Sequence, residues 1–147
     1  MKRFLLMIIA LFAFTATAFA YKVGDIIVVN GELGIVITVT SDGQHGKVLS
    51  IEEGGGVWDQ ARDWCTQLVT GWRMPTTAEL LIVARKRVVI NSSLVSNGFG
   101  DMSNGTYWSL DICKYDSSAR YVVDVRSGES YPKWTDAPYS VRAVCAF

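Results

Sequence analysis

Few residues of this 147-residue chain have the type and spacing to do chemistry. His45 is the single histidine, and it lies beside Ser41-Asp42-Gly43, a polar turn. A base or a metal ligand needs convergent partners, which a turn of this kind does not supply. Glu79 follows Trp72-Arg73-Met74-Pro75-Thr76 and could act as an acid, but Thr76 and Glu79 also have the S/T-x-x-E spacing of a capping box that starts a helix. Capping is the preferred role. No Ser-His-Asp set, paired metal ligands or phosphate-binding loop is legible. Asp101, Asn104, Asp111 and Asp116 offer hard oxygen atoms without the spacing of a calcium loop, so no metal and no cofactor is expected. The parts for an enzyme are missing, and a non-catalytic role is expected.

Aromatic side chains are the other resource. Five Trp, six Tyr and six Phe in so short a chain mean large buried rings, an aromatic binding surface, or both. Tyr115, Tyr131, Trp134 and Tyr139 fall among polar residues and prolines, and are the candidate ligand contacts, because aromatic faces stack on sugars and dominate protein hot spots. Trp134, between Lys133 and Thr135-Asp136, reads equally as a core ring. Trp58, Trp72 and Trp108 read as core.

The elements that must position these residues follow from pattern. Ile26–Val29 and Gly34–Thr40 are β-branched runs separated by Asn30-Gly31, a hairpin signal, and Lys47–Ile51 is a third strand. Trp58, Ala61, Cys65 and Leu68 recur at helical spacing, with Gly71 as a stop. Pro75 holds Met74 out of helical geometry, and the second helix starts at Thr76, carries Leu80, Leu81 and Ala84 on its apolar face, and ends at the basic run Arg85-Lys86-Arg87. Residues 91–106, rich in Asn, Ser and Gly, read as a long loop, and residues 130–139 as another. Tyr107–Leu110, Ala119–Val125 and Val141–Phe147 read as strands, the middle one followed by the turn Arg126–Glu129. Two helices with antiparallel strands make an α+β domain.

The first twenty residues are a separate object. Lys2 and Arg3, an apolar run from Phe4 to Phe14 and the small residues of Ala18-Phe19-Ala20 have the layout of a cleaved secretory signal. The run is too short for a spanning helix, which needs about 20 apolar residues. The expected organisation is a signal over residues 1–20 and one domain over 21–147. Export places the protein in the periplasm, at the cell surface or outside the cell, with no membrane span after cleavage. Two of the 14 basic residues and none of the 14 acidic ones leave with the signal, so the mature chain carries 12 against 14, a net charge of −2. Nucleic acid is not an expected partner, because binding it needs a concentrated positive face. Three cysteines in an exported chain suggest a disulfide with one thiol left over, and the pairing is not fixed by the sequence.

Trp72-Arg73-Met74-Pro75-Thr76-Thr77-Ala78-Glu79-Leu80, then Tyr107-Trp108-Ser109, then Val141-Arg142-Ala143-Val144 ending in Phe147, resemble in that order the C-terminal domain family of the collagen-like adhesin Lcl. Tyr21-Lys22-Val23-Gly24-Asp25 and Gly34-Ile35-Val36 are similar to exported bacterial members, so the resemblance spans nearly the whole mature chain. It implies a C-type lectin-like fold, in which Trp72, Arg73, Pro75, Thr76, Glu79, Trp108 and Arg142 are structural. It also implies a disulfide from the first helix to the last strand, between Cys65 and Cys145, leaving Cys113 buried and inert. The calcium-dependent sugar motifs of animal C-type lectins are absent. The function implied is a non-catalytic module for an extracellular glycan or protein ligand. A structural subunit of a surface assembly, joined through Cys113 or a strand edge, is a second reading. The Trp-Arg-Met-Pro-Thr segment also resembles formylglycine-generating, sulfatase-modifying enzymes, but those use a reactive cysteine pair and a bound metal.

Overall fold

The computed structural model describes residues 18–102 and 105–147. Most of the expected signal, and Asn104 among the calcium candidates, therefore lie outside the described residues. The rest is an α+β domain of two sheets and two helices. No described helix is long and apolar enough to cross a membrane.

Strands β1 (Ile26–Val29) and β2 (Glu32–Val39) form the hairpin that Asn30-Gly31 predicts. Both turn residues adopt positive φ, 51° and 87°, which a two-residue turn matching the strand twist requires. β3 (Gly46–Ser50) pairs with β2, and β9 (Val144–Ala146) pairs with β3, giving the order β1-β2-β3-β9. The second sheet has the order β4-β8-β5-β6-β7, from β4 (Gly54–Gly56), β8 (Tyr139–Val141), β5 (Thr106–Cys113), β6 (Asp116–Asp124) and β7 (Glu129–Trp134). Its pairings are antiparallel except for the parallel contact of β5 with β8 at Tyr107 and Ser140.

Alternation along the strands divides the core in two. Ile35, Leu49, Tyr107 and Val123 pack with Leu80, Ile90 and Leu94 of α2 (Thr77–Ser96). Their neighbours Val36, Val48, Trp108 and Val122 pack with Trp58, Ala61 and Cys65 of α1 (Trp58–Gln67). Successive residues thus serve opposite clusters, as a period of two demands when both faces are covered.

Three expectations are corrected. The second helix does not end at Arg87 but continues to Ser96, so residues 91–96 are helical rather than loop. Ile90 and Leu94 prolong the apolar stripe, and the polar residues between them find tertiary partners. Asn91 Oδ1 accepts the Met102 amide at 3.0 Å, and the Ser93 hydroxyl donates to the Gly24 carbonyl at 2.6 Å. Packing overrides weak propensity here. Residues 129–134 form the edge strand β7, all exposed, instead of a loop. The closing run is two strands rather than one, because the chain leaves the second sheet at Val141 and joins the first at Val144.

The disulfide is also corrected. Cys65 and Cys145 belong to one apolar cluster but are free thiols, not within bonding distance. The Cys145 thiol donates to the Ala146 carbonyl at 3.4 Å and accepts from Asn30 Nδ2 at 3.8 Å. Burial pushes the Cys65 thiol up to about 12 and raises that of Cys145 too, so both are held protonated.

Candidate binding face

The motif residues act as joints between the two sheets. Arg73 exchanges backbone hydrogen bonds with Val144 of β9, at 3.0 and 2.8 Å, and two residues on the Pro75 carbonyl accepts the Leu110 amide of β5 at 2.9 Å. One short segment therefore touches both sheets before α2 begins. Thr76 caps that helix, its hydroxyl accepting the Glu79 amide at 3.2 Å. The reciprocal half of the box is not made. Glu79, 5 % exposed, turns to Arg73 in a two-toothed ion pair at 2.8 and 3.3 Å, with Lys47 at 3.5 Å. The Thr77 amide, at the same helix start, donates to Asp111 Oδ2 at 2.6 Å. Glu79 is thus fully engaged by Arg73 and Lys47.

Arg142 sits where the chain changes sheets and is 2 % exposed. Its guanidinium donates to Glu53 Oε2 at 3.1 Å and to the carbonyls of Ser50, Ile51 and Gly100 at 3.2, 3.1 and 3.2 Å. Tyr107 donates its hydroxyl to the same Glu53 oxygen at 2.8 Å, and burial, then Glu53, raises its pKa. The indoles of Trp58, Trp72 and Trp108 are buried and donate to the carbonyls of Ser109, Val29 and Gly56. All three are core rings, as their spacing predicts.

The four candidate contacts separate. Tyr115 is 94 % exposed and Trp134 62 %. They line one cavity of about 300 Å³ with Cys113, Ala119, Pro132 and Lys133. Register explains the meeting, because Trp134 lies opposite Ala119 and Pro132 opposite Tyr121, all four on one face of β6 and β7. Tyr131 lies opposite Val122 and so on the other face, with its hydroxyl on Glu129, whose hydrogen bond raises the phenol pKa. Tyr139 is half-buried, its ring edge-to-face on Trp108 at 5.1 Å. Tyr115 and Trp134 alone make a shared face.

A second cavity of about 370 Å³ adjoins it, lined by Thr77, Asp111, Ile112, Lys114, Tyr121 and Ser130. Tyr121, opposite Pro132, joins the two, and the neighbouring Cys113 thiol raises its phenol pKa. Asp116 accepts from the Ser118 hydroxyl and amide at 2.5 and 2.9 Å, which lowers its pKa. Tyr121 and Pro132 were not singled out from the sequence. The usable signal was alternation, since both share the parity of residues that form the wall. Among the described residues no group of three or more His, Cys, Asp or Glu side chains is arranged to hold a metal ion. His45 is exposed in its turn.

No curated protein matches the chain. The profile of the Lcl C-terminal domain does, over residues 34–145. That span takes in both helices, the joint at Trp72–Leu80, the Tyr107-Trp108-Ser109 strand and Arg142, and the chain belongs to the Lcl C-terminal domain family.

Proposed function

We propose that this chain is an exported, non-catalytic binding module with a C-type lectin-like fold, taking an extracellular glycan or protein ligand on the Tyr115–Trp134 face. One observation carries the reading: two large rings stand 94 % and 62 % exposed at the rim of a shared cavity. They sit on a paired strand and the turn beside it, so the scaffold holds them open at little entropic cost on binding. The family membership supports an adhesin-associated role. The non-catalytic reading draws on Glu79, held in ion pairs, and on the burial of all three thiols.

A subunit of a surface assembly has less support. Cys113 is 7 % exposed, and the open edge of β7 carries a proline. The Thr135 amide donates to the Ser118 carbonyl of β6, so by alternation the backbone amides of Lys133 and Tyr131 also point toward β6 and the Pro132 nitrogen points to the open edge. That position lacks the donor a further strand would need.

The test is a glycan and protein-ligand array probed with residues 21–147, followed by titration of any ligand found. Trp134→Ala and Tyr115→Ala should each weaken binding by about tenfold or more, the range of aromatic hot spots. Unchanged affinity in the double variant would place the ligand elsewhere.

A further inference from the structure

Resting on the reading just given, we infer that the face takes a linear oligosaccharide without net charge, with two sugar units in two adjoining subsites. Trp134 and Tyr115 stack on one unit, and Tyr121 and Ser130 hydrogen-bond the next. The two cavities differ in chemistry. One is walled by two exposed rings, Pro132 and Ala119, the surface that the C–H face of a pyranose covers. The other is lined by Tyr121 and Ser130, together with Asp111 and Lys114, polar groups suited to ring hydroxyls.

Register sets them in line. Trp134, Pro132 and Ser130 are alternate residues of β7 and share a face, opposite Ala119, Tyr121 and Val123. Trp134 to Ser130 therefore spans about 13 Å at ~3.3 Å per residue, a length for two rings joined end to end. An apolar peptide side chain would fill the ring-walled end and leave the hydroxyl end unused. Charge selects among sugars. Asp111 and Asp116 balance Lys114 and Lys133 along the walls, so the groove has no net charge to attract a sulfated or carboxylated chain.

The experiment titrates residues 21–147 with neutral cello- and chito-oligosaccharides of one to four units, and with a sulfated heparin disaccharide. Affinity should rise about tenfold from one unit to two and then level off. It should hold within about twofold between roughly 0.05 and 0.5 M salt, where a charge-driven complex would weaken steeply. Tyr121→Phe and Ser130→Ala should each abolish the gain from the second unit and leave the single sugar untouched, while Trp134→Ala weakens both. Circular dichroism checks that each variant is folded. Equal affinity for one and two units, or preferred binding of the sulfated sugar, would overturn the inference while leaving a Trp134-dependent site intact. Binding of no saccharide, with a protein ligand lost in Trp134→Ala, would overturn the inference and keep the binding module. Ligands indifferent to Trp134→Ala would overturn both.

Discussion

Replacing Arg142 by methionine keeps most of the side-chain volume and removes a charged donor set from the point where the two sheets meet. The guanidinium makes one contact with a carboxylate and three with backbone carbonyls, all between 3.1 and 3.2 Å. Removing one member of a buried pair costs about 3–5 kcal/mol. The Glu53 side chain is 32 % exposed and can rehydrate, which favours the low end. The Ser50 and Ile51 carbonyls belong to buried residues, and each loses its donor for about 1 kcal/mol or more. The expected loss is about 3 kcal/mol, near a 150-fold change in the folded-to-unfolded ratio. For a domain of this size that is a fall in Tm of about 12 °C. Urea unfolding followed by tryptophan fluorescence reads it, because Trp58, Trp72 and Trp108 are all buried. Arg142→Lys should retain roughly half the stability lost, keeping the charge but not the planar fork that reaches four acceptors. Glu53→Gln and Arg142→Met combined should cost less than the sum of the two, since they share a contact. A loss below about 1 kcal/mol for Arg142→Met with an unchanged m-value would refute the claim that this residue staples the sheets.

Other perturbations test the remaining joints. Glu79→Gln should cost about 2 kcal/mol by leaving Arg73 and Lys47 facing a neutral group, and Thr76→Ala about 1 kcal/mol through the lost cap; both are measured by thermal unfolding. Gly46→Ala should destabilise by about 3 kcal/mol, because a Cβ there runs into the Thr38 carbonyl across the strand pair, and a neutral effect would contradict the register of β2 with β3. Cys65 has a folded pKa of about 12 against an unfolded value near 9, so its contribution is intact below pH 9 and is lost as pH rises from 9 to 12. Stability of the wild type should therefore fall faster in that window than that of Cys65→Ala, by up to about 1.4 kcal/mol per pH unit, measured by urea titration at stepped pH. Thiol-specific labelling in native buffer should leave Cys65 and Cys145 unmodified until the chain unfolds, whereas rapid labelling would refute their burial.

What the sequence discloses here is local. Asn30-Gly31 announces its hairpin because only such residues accept two positive φ angles in succession. Thr76 announces α2 because the cap is a contact within one turn. The far end of α2 was hidden, since its Asn and Ser residues are stabilised by Met102 and Gly24, partners remote in sequence. β7 was hidden because edge strands tolerate proline and charge that central strands refuse. The break between β8 and β9 has no local cue, because Arg142-Ala143 contains no Gly or Pro to interrupt a strand and the change of sheet is decided by neighbours. The same limit applies to the binding face. Tyr115, Tyr131, Trp134 and Tyr139 look alike by composition, and only pairing with β6 and contact with Trp108 sort the exposed rings from the rest.

The switch of the closing segment between sheets dictates an order of assembly. β8 fills the gap between β4 and β5, and β9 completes the other sheet beside β3. A chain emerging residue by residue can form its first hairpin early, because that closure is short. It cannot cover Trp58, Trp72 or Trp108 until residues 139–146 have arrived, since Val141, Ala143 and Cys145 complete their cluster. Loop closures of this length are slow and reward nothing until they are made. Folding is therefore a late, single event, and nascent chains caught before it present their largest rings to whatever chaperone or protease is at hand. Loss of those last residues would give no smaller version of the domain.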